Sequence, residues 1–206
     1  MYPGKILRPV KVSFISSYLP RKCGIATFSS DLLNSLKFLY PNSEPDGEQS
    51  NFEVVALNDA NETYDYGSEV TFQIRDQHRK DYQRAADFIN HSPVDAVSVQ
   101  HEYGIYGGED GNYINTLLSG LKKPAITTLH TVLENPTPGQ RQTLMRICEQ
   151  SVSVVVMAQA AVDILTRVYR IPDDKILLIP HGAPDVPFLD SSYYKDQFQA
   201  EGVKCS

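Results

Sequence analysis

Apolar residues recur along this chain in two alternating rhythms. Seven short runs rich in β-branched and other strand-forming residues occupy 11–17, 52–57, 69–74, 94–100, 125–129, 152–157 and 175–180. Between most of them the spacing becomes helical, at 25–39, 78–90, 111–121, 138–150 and 158–169. In the first of these helical segments Ile25, Phe28, Leu32, Leu36 and Leu39 fall at i, i+3, i+7, i+11 and i+14, along one helical face. Runs such as Val152-Ser153-Val154-Val155-Val156 suit strands buried on both faces, as a parallel sheet requires. The alternation predicts an α/β fold, a doubly wound, mainly parallel Rossmann-like sheet of about six or seven strands.

Polar stretches punctuate this pattern. Pro41 to Ser50 and Asn58 to Ser68 read as exposed loops without obvious chemistry. Pro184-Asp185-Val186-Pro187 reads as a linker, because two prolines within four residues resist regular structure, and Ser191 to Ala200 then begins an amphipathic helical pattern. No internal repeat breaks the series.

Composition narrows the class. With 41% apolar and 21% charged residues, the 206-residue chain has the balance of a globular protein. A net charge of −6 and the absence of a basic cluster argue against nucleic acid as a partner. No apolar stretch reaches the ~20 residues of a membrane helix, and Pro3, Lys5, Arg8 and Lys11 interrupt any signal-like segment. Three widely spaced cysteines, 23, 148 and 205, form neither a disulfide framework nor a CxxC site, so a cytoplasmic location is expected.

The candidate chemistry gathers where predicted strands end. The first strand turns through Pro20-Arg21-Lys22-Cys23-Gly24-Ile25 into a helix, whose free N–H groups and positive dipole end suit a phosphate or carboxylate. A lone glycine there also serves a turn with no ligand at all. His130 ends the strand Ala125 to Leu129, the edge at which α/β proteins gather ligands; capping a helix or loop is the simpler alternative. After Val94 to Val99 comes Gln100-His101-Glu102, readable as an acid–base pair, although adjacent side chains usually diverge. Gly104, Gly107 and Gly108 make the following loop permissive, and Glu109-Asp110-Gly111 stands where the next helix would begin. Histidine spacing does not match a helical zinc site, so no metal is assigned. The first strand also lacks the GxGxxG turn of a dinucleotide enzyme.

Four segments, taken in order, resemble the family 4 glycosyltransferases, retaining enzymes of the GT-B fold. They are Pro20 to Phe28, Gln100 to Gly108, Thr128-Leu129-His130-Thr131 and Ile179-Pro180-His181-Gly182, together reaching across roughly residues 10 to 185. The resemblance implies transfer of a hexose from a nucleotide diphosphate sugar to a hydroxyl acceptor with retention, the nucleotide sugar being a co-substrate and no cofactor being needed. It implies that Gly24 and Ile25 approach the donor phosphates and that His130 is the catalytic-centre histidine, bonded to a donor-sugar hydroxyl. His101, Glu102, Tyr103, Gly107 and Gly108 would border a carbohydrate or other acceptor. Tyr103, Ile105 and Tyr106 would look into the interdomain cleft. His181 stands where asparagine is more usual and is read as structural. Residues 1–187 would form the N-terminal, acceptor-side domain, and 188–206 a linker or the start of a C-terminal donor domain. That second domain usually carries two glutamates eight residues apart, a spacing absent from this chain. The isolated chain is therefore expected to be inactive. Two other readings stand beside this one: a non-catalytic sugar- or partner-binding module, and one subunit of a split transferase whose donor domain is a separate chain. Either leaves self-association or capture of that chain as an expectation.

Overall fold

The structure, a computed structural model, describes residues 10–40 and 51–182. The linker and tail expected from 184 onward lie outside the described residues. Seven strands form one sheet in the order β3-β2-β1-β4-β5-β6-β7. They are β1 (Val12–Ser16), β2 (Phe52–Asn58), β3 (Val70–Arg75), β4 (Ala96–His101), β5 (Ala125–Leu129), β6 (Ser153–Val156) and β7 (Ile176–Leu178). Every pairing is parallel. The helices are α1 (Gly24–Leu39), α2 (Arg79–His91), α3 (Ile114–Gly120), α4 (Pro138–Gln150) and α5 (Gln159–Ile164), the last running on through a wider turn to Tyr169. The doubly wound α/β expectation holds, as do the seven strand positions.

The sheet separates two cores. On one face α1 lays Leu33 against Phe14, Phe52, Val54 and Ala56. On the other, α2 to α5 cover Ile15, Val55, Val97, Val99, Leu129 and Val154. Right-handed crossovers account for this division, since the chain winds one way from β1 to β2 and the other way from β4 to β7. The apolar line foreseen on α1 is not the line that is buried. Ala26, Ser29, Ser30 and Leu33 face the sheet, while Ile25, Phe28, Leu32 and Leu36 are half-buried and Leu39 is 65% exposed. Small side chains let the helix settle close enough for the Ser16 and Ser29 hydroxyls to bond at 2.6 Å.

The segment after β4 also departs from expectation. Two short 3-10 turns follow β4, Tyr103–Ile105 and Glu109–Gly111; the second stands where a helix was to begin, and α3 starts only at Ile114. Gly108 (φ 81°), Asp110 (φ 52°) and Gly111 (φ 70°) all take left-handed backbone conformations, which a helix cannot continue through. These turns fold the loop back over the sheet. Ile105 and Tyr106 become core residues instead of cleft-facing ones, and Tyr103 packs against the same core. No helix among the described residues is long and apolar enough to cross a membrane.

Candidate functional site

Strand order reverses between β1 and β4, so the connections leaving their C-terminal ends diverge and open a crevice there. One wall is the N-terminus of α1. Cys23 caps it, its sulfur accepting the Ala26 N–H at 3.4 Å and lying 3.1 Å from the Ser17 hydroxyl. The first backbone bond of the helix begins at Thr27. The N–H groups of Gly24 and Ile25 therefore have no partner among the described residues, as the first turn of a helix requires. A Cβ built on Gly24 would meet nothing within 4 Å. Packing does not demand glycine at that position, and Gly24 is exposed.

Arg21 holds this loop in place. Its guanidinium is buried and donates to the Leu57 carbonyl at 3.0 Å and to an Asp59 carboxylate oxygen at 2.6 Å. The Tyr64 hydroxyl donates to the other Asp59 oxygen at 2.7 Å. The arginine charge is thus engaged by the protein itself. Sequence reading passed over Arg21 and Asp59, which stand 38 residues apart with no local pattern joining them.

The opposite wall is the end of β5. The His130 N–H donates to the His101 carbonyl at 2.9 Å, extending the β4–β5 ladder by one residue. Its side-chain Nε2 lies 2.9 Å from Gln100 Oε1, and the Gln100 amide donates to Ser98 Oγ at 3.4 Å. With the amide oriented in this way, Nε2 carries the proton and Nδ1 is left as an acceptor. Burial, and after it the neighbouring His181, push His130 down to about 4, so the ring is neutral at pH 7. Phe28 packs edge-on against both rings, at 4.8 Å from His130 and 5.2 Å from His181. This phenylalanine stands one turn beyond Gly24 and ties the two walls together. Sequence reading placed it on a helix face and at the end of the Pro20 to Phe28 segment, without a role in the site; the four-residue spacing from Gly24 was the available signal.

The β4 loop residues fall differently. His101 is fully buried, stacked on Tyr106 at 5.7 Å and edge-on to Tyr103 at 4.9 Å, and neither ring nitrogen has a partner. Burial, with His130 nearby, pushes it down to about 3. Glu102 accepts from the Tyr103 N–H at 3.0 Å and from the Thr131 hydroxyl, pinning the ends of β4 and β5 together. Tyr103 donates to the Gln140 carbonyl at 3.3 Å. The Gly107 N–H donates to the Tyr82 hydroxyl, and a Cβ at Gly107 would stand 1.8 Å from the Asp76 carbonyl oxygen. Gly108 is held at positive φ, with Asn112 and Tyr113 crowding its missing Cβ. Packing and backbone geometry therefore suffice to explain both glycines. Gly24, Ile25 and His130 meet at the crevice, whereas His101 is sealed beneath it. Among the described residues, no group of three or more His, Cys, Asp or Glu is placed to hold a metal ion.

These features define a Rossmann-type α/β domain whose candidate site lies at the reversal of strand order. No family model matches the sequence, and no curated protein matches it. Twelve solved chains match it in structure. Among them is the crystal structure of a glycosyltransferase from Rickettsia africae, with a TM-score of 0.57 at 13% identity. The match covers 95% of this chain and 51% of that one, so the chain spans about half the length of this neighbour. The fold is glycosyltransferase-like.

Proposed function

We propose that this chain is the acceptor-side lobe of a retaining glycosyltransferase similar to family 4, with residues 1–187 as the lobe and a second lobe supplying most of the donor site. The observation that carries the reading is the meeting of two unpaired N–H groups, Gly24 and Ile25, with a neutral His130 across one crevice. In this reading the N–H groups and the α1 dipole bind the diphosphate of a nucleotide sugar. Nδ1 of His130 accepts a bond from a hydroxyl of the transferred hexose, which a protonated ring could not do. Donors fixed before the reaction stabilise the departing diphosphate as its charge develops. The acceptor hydroxyl then attacks from the face the diphosphate has left, its oxygen bonding the anomeric carbon as its proton passes to the departing diphosphate.

Titration of the isotopically labelled chain with nucleoside diphosphate hexoses tests this. A uridine- and a guanosine-linked sugar, each against its free diphosphate, make a suitable panel. The amide signals of Gly24 and Ile25 should move with every ligand, and the His130 ring signals only with the sugars. Millimolar affinity, about −4 kcal/mol, is expected of one lobe. If no member of the panel moves these signals, the assignment is wrong.

A further inference from the structure

A second concave surface lies away from the crevice, over the helices on the far face of the sheet. α3 has 7 residues, against 13 in each of its neighbours α2 and α4. The glycine-rich turns delay its start, so the helical layer dips along it into a groove of about 760 Å³. Asn115 and Thr116 of α3, Gln83 of α2 and Gln142 of α4 line it with amides and a hydroxyl. Two arginines, Arg79 and Arg146, are offset by two carboxylates, Asp87 and Glu109. Asn115 is 7% exposed; its side-chain oxygen is sealed from solvent without a hydrogen-bond partner, which leaves the amide nitrogen as the group it offers the groove.

We propose that this groove binds a neutral carbohydrate chain, the non-reacting part of the acceptor. A lining of amides and hydroxyls offers both donors and acceptors, as a polyol needs. Its balanced charges give a polyanion no net attraction, and a lipid or apolar peptide would find little apolar surface. Position links the groove to the crevice. Arg79 begins α2, Gly139 lies in the first turn of α4, and Glu109 belongs to the loop leaving β4. All three stand at the C-terminal edge of the sheet. The 102–111 loop therefore has the crevice on one side and the groove on the other, and a chain lying along α3 would lead its end toward His130. The acceptor role rests on the proposed transferase function; the groove itself does not.

Titrating the labelled chain with neutral hexasaccharides of α-linked glucose, β-linked glucose and mannose tests the site. At least one should shift the Asn115, Thr116 and Gln142 amides. Asn115→Leu, which removes the unpaired oxygen at similar volume, should leave thermal stability unchanged or higher. It should also weaken oligosaccharide binding by about tenfold, as Gln142→Ala should on the opposite wall. Absence of shifts at tens of millimolar with all three sugars overturns the groove, whatever nucleotide sugars do at Gly24. Tighter binding of dextran sulfate at the same amides overturns the neutral ligand. Oligosaccharide binding here without nucleotide-sugar binding would keep the groove and remove the transferase reading.

Discussion

Sealing an imidazole from solvent with neither nitrogen bonded leaves a donor unpaired, at a cost of about 1–3 kcal/mol. His101 is in that position, between Tyr103 and Tyr106. His101→Phe keeps a flat ring in the same aromatic setting and removes the unpaired group. Its midpoint in urea should equal or exceed that of the parent, and a fall of more than about 1 kcal/mol would show that the imidazole has a polar partner after all. Acid adds a second readout. His101 and His130 sit at about 3 and about 4 in the folded protein, below the ~6.5 of an unfolded chain. The unfolded state therefore binds more protons between these values, and stability falls as pH drops from 6.5 toward 3. His101→Phe should flatten that decline, which a melt series across this range would record. At Gly24 folding and binding separate. An alanine methyl there meets open space and removes a flexible residue from a helix, so Gly24→Ala should be neutral or stabilising by up to about 1 kcal/mol. In the proposed site that methyl would lie beside the bound diphosphate, so nucleotide-sugar shifts at Ile25 should weaken.

At the scale of elements, the strands were legible because parallel strands buried on both faces write continuous β-rich runs, as at Val54–Leu57 and Val154–Val156. The orientation of α1 was not legible. Hydrophobicity favours Phe28 and Leu32, but close approach to the sheet is made by Ala26, Ser29 and Ser30, whose small size matters more than their polarity. The β4 loop misled for a related reason. Tyr103, Ile105 and Tyr106 are large and apolar wherever they point, and direction was set by three left-handed residues that only Gly108 and Gly111 hinted at. Its glycines carry the sharpest test at this scale. A side chain at Gly107 would drive into the Asp76 backbone, displacing the Tyr82 hydroxyl that bonds both segments at 3.0 and 2.9 Å. Gly107→Ala should cost about 1–3 kcal/mol or more in thermal melts, whereas Gly104→Ala, with nothing within 4 Å, should cost far less. Equal losses in the two variants would mean that the loop is not packed in this way.

At the scale of the whole molecule, the described residues cover the two faces of the sheet unequally. β5 and β7 carry Ile126 and Leu177 on the α1 side, where they are 40% and 43% exposed, while the opposite face is closed by four helices. The crevice is likewise walled by α1 and β5, with Gly24 exposed at its edge and His130 bonded to Gln100. Both features are those that the proposed lobe reading requires. Interdomain contacts of this kind commonly bury ~600–1,500 Å². Binding by one wall holds a diphosphate weakly, and transfer needs the acceptor and donor fixed together, where effective concentration supplies much of the rate. The purified 206-residue chain should therefore bind nucleotide sugars at Gly24 and Ile25 yet release hexose or free diphosphate at the background rate. Robust turnover that disappears in His130→Ala would reverse this, because one lobe would then contain a complete active site. Turnover that persists in His130→Ala would place the chemistry elsewhere in the molecule. Activity that appears only when a donor-binding chain is added, and is lost with His130→Ala, is the outcome the geometry leads us to expect.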